Sequence, residues 1–278
     1  MNEVASQYVE YHAKGHFPFG NLTFIHHDMF SGSCKEITTI AAAVELLVLS
    51  YDIFDDLEDK DNDEPPWMKD DEKALNIATG FIFAALSGIQ SIKVCKRDEI
   101  IKKYCKHALI AINGQHVDLT NNVDNESNYI EIMKQKSGTL TALACILGVL
   151  AAGQDKDISL IEDYATNIGI AAQIRNDLKD VLRLDRKSDL INRKKTLATL
   201  YLLEHPDPMF NFIREYYQGI LSKQELLSNR KFIESTLKES GVILYSNAMI
   251  KMYQNQAIEA VNQIKAEEKF KILLSSYI

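Results

Sequence analysis

An all-α single domain spanning residues 1–278 is what this sequence predicts, and three observations carry the prediction. Glycine and proline are scarce, 12 and 5 in 278 residues, so few points force the chain to turn. Apolar residues recur with the 3.6-residue helical period over long segments, whereas the alternation typical of strands is rare. A hydrophobic fraction of 46% against 25% charged is ordinary globular composition, with ample material for a core.

Taken in order, residues 2–14 read as a first helix. G-H-F-P-F-G-N-L (15–22) is expected as a connection, with a helix following to about Met29 and Ser31-Gly32-Ser33 breaking it. A helix from near Lys35 carries E-L-L-V-L-S-Y-D-I-F-D-D-L-E-D (45–59). The acidic stretch 61–71, bent by Pro65-Pro66, is the clearest loop, expected to hang over that helix end as a flap. Trp67, the only tryptophan, is expected to pin this loop to the body rather than to touch substrate. Helices follow over about 72–91 and 97–119, then a polar loop over 121–128 and a helix over about 129–153. Another helix runs from about Ser159 to Leu184. Segment 183–195, rich in arginine and lysine, is a connection, and His205-Pro206-Asp207-Pro208 a hinge. Three or so amphipathic helices finish the chain.

Composition excludes several function classes. The 31 Lys+Arg against 39 Asp+Glu give a net charge of −8, with no basic run or stripe, which argues against a nucleic-acid partner. Cys34, Cys95, Cys105 and Cys145 lack metal-ligand spacing, and the N-terminus has neither a basic nor an apolar signal region. Both features point to the reducing cytoplasm. The apolar stretch 139–153 is shorter than the roughly 20 residues that span a bilayer. The longer stretch 37–54 carries Glu45 and Asp52. Both are expected as buried helices, with no transmembrane segment.

The chemistry lies in two acid clusters. At about 100° per residue, Asp52, Asp55, Asp56 and Asp59 fall within an arc of about 100° on one helix face. Neighbouring carboxylates at ~4 Å repel by about 4 kcal/mol at an effective dielectric near 20, so they need bulk water or cations. Gln173, Asn176, Asp177 and Asp180 repeat the spacing, and each cluster follows an apolar segment, 40–48 or 168–172. Two such helices read as two walls of one mouth. Oxygen ligands without Cys or His suit a hard cation such as Mg²⁺, which favours sites shared between carboxylates and substrate phosphates. Phosphate also needs cationic partners. Arg193, Lys194 and Lys195 in the charged connection supply them, with Lys136, Arg175 and Lys179 as further candidates. The apolar residues just inside the mouth imply a hydrocarbon tail, so the inferred ligand is an isoprenyl diphosphate.

Read together with A-L-N-I-A-T-G-F (74–81), G-Q-H-V-D-L (114–119), Q-K-S-G (135–138), Q-I-R-N-D-L-K-D (173–180) and D-L-I-N-R-K-K-T-L (189–197), the acid motifs resemble the trans-isoprenyl diphosphate synthase family in order and spacing, over roughly residues 35–200. The resemblance implies the isoprenoid synthase fold, a helical bundle around a deep apolar tunnel, usually a homodimer. It implies Asp55, Asp56, Asp59, Asp177 and Asp180 as ligands of three Mg²⁺. Gln173, Lys136 and Lys194 would contact metal-bound water or diphosphate. Asn176 stands where an aspartate is usual, and its amide oxygen is a weaker ligand.

The departures are as informative. Elongating members bind a second diphosphate with a G-G-K-R-x-R-P segment and an R-R-G, but here F-P-F-G-N-L-T-F (17–24) and K-D-N-D-E-P-P-W (60–67) contain no arginine. That combination resembles the ComQ-type competence-pheromone prenyltransferases, which implies transfer of a geranyl or farnesyl group to a tryptophan of a peptide pheromone precursor. A terpene cyclase, an elongating synthase and a non-catalytic regulatory subunit are the rival readings. Tyr51, one turn (about 5.4 Å) below Asp55, either limits donor tail length or is ordinary core.

Overall fold

The computed structural model describes residues 2–278. Helix α1 (Asn2–His12) ends in a 3₁₀ turn and is followed by α2 (Pro18–Met29), α3 (Ile37–Asp59), α4 (Asp71–Ser91) and α5 (Arg97–Leu119). Then come α6 (Glu126–Met133), α7 (Thr139–Ala151), α8 (Ile158–Leu182) and α9 (Leu197–Glu204). The remainder is α10 (Asn211–Tyr217), α11 (Lys223–Ser228), α12 (Arg230–Glu239), α13 (Val242–Gln263) and α14 (Glu268–Ser275). No strand occurs among the described residues, as the sequence predicts.

The centre of the bundle is α7, all of whose residues are buried. A helix apolar all round has to be surrounded, and α2, α3, α5 and α8 surround it, with α13 against α8 and α4 against α3. A second cluster, built on Phe210, Ile213, Tyr216, Leu226 and Ile233, packs against the end of α8 and the connection after it. Side chains cap the helices that loops deliver: Asp70 accepts from Lys73 N–H at 3.1 Å, and Asn125 from Asn128 N–H at 3.0 Å. Such caps contribute ~1 kcal/mol each. Two helices, α3 and α4, are long and apolar enough to cross a membrane by length and composition. In the bundle, α3 is mostly buried by its neighbours, while α4 leaves Phe83 66% exposed. Cys34, Cys95, Cys105 and Cys145 are all free.

Several boundaries differ from expectation. The stretch 15–22 is not all connection, because α2 begins at Pro18, whose missing N–H and fixed φ suit a first helical turn. The segment 129–153 is broken by a π-turn, Lys134–Gly138, between α6 and α7. Five helices rather than three follow the 205–208 hinge.

His26 on α2 is fully buried and stacks on Tyr164 with ring centroids 5.7 Å apart. Its Nδ1 lies 2.6 Å from the Leu22 carbonyl and donates to it, leaving Nε2 without a partner. Burial pushes this imidazole down to about 4. The unfolded chain therefore binds more protons below about pH 6.5, and the folded state loses stability as pH falls from there towards 4, by about 3 kcal/mol from this group. Thermal unfolding midpoints of His26→Phe between pH 4 and 6.5 should show a correspondingly shallower slope than the parent protein; an equal slope would locate the titration elsewhere.

Candidate active site

A cavity of about 1050 Å³ opens between the C-terminal ends of α3 and α8. Asp52 and Asp55 line it from one side, and Gln173, Asn176 and Asp180 from the other, so the two acid motifs face one space. Deeper, the wall is formed by Phe19, Val48, Ala111 and Leu140. The polar rim and apolar interior match a diphosphate head with a hydrocarbon tail.

Both acid clusters sit in the last turns of their helices, where the backbone dipole is already negative. Each carboxylate there is disfavoured by roughly 0.3–1 kcal/mol, and the structure answers with a chain of charges. Lys136 Nζ lies 2.9 Å from Asp55 Oδ1 and 2.9 Å from Asp118 Oδ2. Asp118 is also 3.6 Å from Lys194 Nζ, which reaches Asp59 at 3.3 Å. Burial works against ionisation of Asp55, but Lys136 and Lys194 beside it hold its carboxyl below the usual range. Burial likewise opposes the charge on Lys136, yet Asp55 and Asp118 hold its ammonium above the ordinary value. Gln115 bridges Asp55 and Glu58 at 2.9 and 2.7 Å. Asp56, Asp59, Asp177 and Asp180 are all raised by burial.

Lys136 is placed by the π-turn, which is squeezed between α5 and α8. A Cβ on Gly114 would come within 2.5 Å of the Lys136 nitrogen, and one on Gly169 within 2.7 Å of Gly138 Cα. Only glycine permits that approach on both sides. On α8, Gln173 Nε2 donates to Asp177 Oδ1 at 2.8 Å and Ser137 Oγ donates to Gln173 Oε1 at 2.7 Å. The Tyr129 hydroxyl donates to Asp177 Oδ2 at 2.5 Å. Asn176 lines the cavity with an exposed side chain.

Arg193 is a correction. Its backbone is left-handed (φ 55°), and its guanidinium lies outside the cavity lining, over the Tyr216 ring 4.3 Å from the centroid. There Nη2 donates to the Leu221 carbonyl at 3.2 Å. It secures the loop that presents Lys194 rather than meeting substrate. Arg175 is exposed and outside the cavity lining, whereas Lys179 is part of it. Tyr51 lines the cavity, and its hydroxyl is tied to the Ala108 carbonyl across on α5 at 2.9 Å.

The loop after the first motif is strapped down rather than overhanging. Trp67 is 3% exposed, edge-on to Tyr8 and Tyr11 with centroids 5.6 and 5.2 Å away. Its role is thus the pinning one expected, with one addition: Nε1 donates to Asp56 Oδ2 at 2.8 Å. Arg186 ties the two acid loops together, pairing with Asp63 and donating to the Lys60 carbonyl at 2.7 Å. Gln115, Asp118, Tyr129 and Asp189 do not stand out in the sequence. Asp189, buried behind Asp177, is pushed up to about 8 by burial and that neighbour. The only signals for three of these four are the motifs they lie in, G-Q-H-V-D-L and D-L-I-N-R-K-K.

The donor set fits a hard divalent cation. No three His, Cys, Asp or Glu among the described residues converge into a ready-made metal cluster.

The far side of the cavity is different. Glu45, buried in α3, accepts from Gly20 N–H at 2.5 Å and bonds His12 Nε2 at 2.8 Å. His12 Nδ1 is 3.6 Å from Asp52 Oδ2. No arginine lines the cavity among the described residues.

A polyprenyl synthetase family model matches residues 2–232. The chain belongs to the polyprenyl synthetase family. It is 37% identical to tryptophan prenyltransferase ComQ of Bacillus spizizenii over 258 residues, covering 92% of this chain and 91% of that protein. To the protein of the same name from Bacillus subtilis (strain 168) it is 34% identical, covering 99% and 92%. Among solved structures, a geranylgeranyl pyrophosphate synthase superposes with a TM-score of 0.85 at 20% identity, covering 99% of this chain and 94% of that one. A polyprenyl synthase from Caulobacter crescentus CB15, complexed with calcium and isoprenyl diphosphate, gives 0.80 at 18% identity, covering 94% and 82%. The all-α isoprenoid synthase fold follows, and the chain is a prenyltransferase.

Within this polyprenyl synthetase site, Tyr129 holds a carboxylate that the family resemblance assigns to metal. Removing its hydroxyl leaves Asp177 with Gln173 as its one side-chain donor. Tyr129→Phe should raise the divalent-cation concentration giving half-maximal activity by roughly tenfold to a hundredfold, read from Mg²⁺ titrations of turnover; an unshifted titration would make the bond merely structural. Gly114→Ala should push Lys136 off Asp55 and lower turnover, while a neutral outcome would show that the π-turn can slide.

Proposed function

We propose that this prenyltransferase, working as one unit over residues 1–278, moves a geranyl or farnesyl group from its diphosphate to a tryptophan of a peptide pheromone precursor. The cation is Mg²⁺ and the compartment the cytoplasm. The observation that carries the reading is the split character of the cavity. Its donor half keeps both acid motifs and the lysines that would meet a leaving diphosphate. Beside Asp52 the cavity is lined by His12, with Glu45 buried behind, and no arginine among the described residues lines it to receive a second diphosphate. The two ComQ relatives carry tryptophan prenyltransferase in their names, which favours an indole acceptor over isopentenyl diphosphate or an intramolecular cyclisation.

On this reading Asp55, Asp56, Asp59, Asn176, Asp177 and Asp180 hold the cation. When bound, Mg²⁺ offsets the charge that develops on the departing diphosphate. Lys136 and Lys194, already ionised and half-buried, orient that diphosphate without having to reorganise. Gln173 steers Asp177, and the apolar interior shelters the allylic cation from water. The indole ring supplies electrons itself, so no side-chain nucleophile is required. A second copy of the chain would cover α4 and α5, where Phe83 and Leu109 are each 66% exposed; light scattering on the purified protein measures that.

Purified protein with Mg²⁺ and geranyl or farnesyl diphosphate, given isopentenyl diphosphate, nothing, or a tryptophan-containing precursor peptide, should yield by mass spectrometry a heavier peptide. A longer diphosphate or a cyclic hydrocarbon as the main product would overturn the reading. Asp55→Ala or Asp177→Ala should lower transfer roughly a hundredfold or more; near-normal turnover removes the site assignment. Tyr51→Ala should open the wall and admit longer donors, which competition between geranyl, farnesyl and geranylgeranyl diphosphates would reveal. An unchanged preference makes Tyr51 packing alone.

A further inference from the structure

The diphosphate chemistry leaves one polar cluster of the cavity unused. Glu45 is buried with both oxygens engaged, one by Gly20 N–H and one by His12 Nε2. Because that carboxylate accepts, Nε2 carries a hydrogen, and Nδ1 faces Asp52 3.6 Å away; burial opposes a charge on this imidazole, but Glu45 and Asp52 together raise it above its ordinary value. Asp52 is 54% exposed, and what it is exposed to is the cavity it lines. The charged groups acting on it are His12 from α1 and Asp55, Asp56 and Glu45 on its own helix.

Its position relative to the donor site follows from helix geometry. Asp52 lies about 4.5 Å deeper than Asp55 and about 60° round α3 towards α1, whereas Tyr51 lies about 40° the other way. A hydrocarbon tail running down past Tyr51 and Val48 leaves Asp52 at the flank of the reacting carbon. Pro18 and Phe19, next to Gly20 in the chain, line the cavity too, an apolar edge against which an aromatic ring can lie.

We propose that Asp52 is the acceptor-side base: its carboxylate receives a hydrogen bond from the indole N–H and takes that proton after the new bond has formed. His12, held by Glu45, is the positioning residue. The assignment rests on the reading of the acceptor as a peptide tryptophan. The C–O bond of the allylic diphosphate breaks and its electron pair leaves with the diphosphate. An indole ring carbon conjugated to the nitrogen donates a π pair to form the C–C bond, placing positive charge on that nitrogen. The N–H bonding pair then neutralises the ring as the proton passes to Asp52, which later yields it to solvent. No oxidant or further reactant is needed. Asp52 has the basicity that a proton acceptor near neutral pH requires. Loss of bulk water at the cavity lining, opposed by His12 and reinforced by Asp55, Asp56 and Glu45, pushes it up to about 7.

A partition ratio in the full-length protein, with Mg²⁺, farnesyl diphosphate and a tryptophan-containing peptide, tests the assignment. Allylic cation not captured by the peptide is captured by water, so prenylated peptide and farnesol are counted from the same donor. Asp52→Asn should lower the peptide-to-alcohol ratio about tenfold or more, and His12→Gln should lower it in the same direction, with thermal midpoints within a few degrees of the parent. A ratio that stays constant in His12→Gln and Asp52→Asn, or two products that fall in step, overturns the assignment. Should the parent protein consume donor without ever modifying the peptide, the acceptor reading itself has failed, and the base falls with it.

Discussion

Repulsion among carboxylates at the negative ends of two helices is the constraint on which this structure turns. Asp55, Asp56 and Asp59 end α3, and Asp177 and Asp180 lie near the end of α8. Dipole and mutual charge both oppose their ionisation, so a fold that keeps them must bring compensation from elsewhere in the chain. It does so through the alternating run Asp55–Lys136–Asp118–Lys194–Asp59. Much of the architecture reads as the means of delivering those two lysines. The π-turn pressed between Gly114 and Gly169 sets Lys136, and the loop fastened by Arg193 on Tyr216 and by Asn121 on the Arg193 carbonyl sets Lys194.

The compensation is incomplete, and that incompleteness is informative. Two lysines are shared among three acids near α3, while Asp177 is held by the neutral donors Tyr129 and Gln173. Burial consequently raises Asp56, Asp59, Asp177 and Asp180 instead of leaving them comfortably ionised. A site with surplus negative charge and spare oxygen ligands has affinity in reserve for cations that arrive with the substrate. A stable, fully paired network would have none, since the desolvation cost of buried ions is recovered only when their partners are already in place.

The parts of this arrangement visible in the sequence are those encoded by helical period. The four-residue acid pattern, repeated after an apolar run, gives two helix faces without any knowledge of tertiary contacts, and the scarcity of glycine and proline gives the fold class. Partners brought from afar were not legible. Tyr129 lies 48 positions from Asp177, and nothing local marks its hydroxyl as a carboxylate donor. Asp118 sits inside a motif but looks like any helical acid until Lys136 and Lys194 converge on it. Adjacency in sequence gives Arg193 and Lys194 no shared direction: one lies over Tyr216 and the other reaches Asp59. Pro18 carried a usable signal for the start of α2 that the preceding glycine and aromatic residues obscured.

On the proposed reading, electrostatics also accounts for how one fold can change its acceptor while keeping its donor chemistry. At about 6 Å and an effective dielectric near 20, each unit of like charge costs about 3 kcal/mol, roughly a hundredfold in occupancy. Asp52 faces the cavity, with His12 beside it offsetting part of its charge and Glu45 buried behind. A diphosphate carries several such units, so even a partly screened carboxylate there disfavours it. A neutral indole meets none of this penalty, and its N–H gains an acceptor. On the proposed reading, a carboxylate rather than a cation beside the acceptor would both disfavour a diphosphate and favour a hydrogen-bond donor. The selectivity lies in the repulsive element as much as in the new contact.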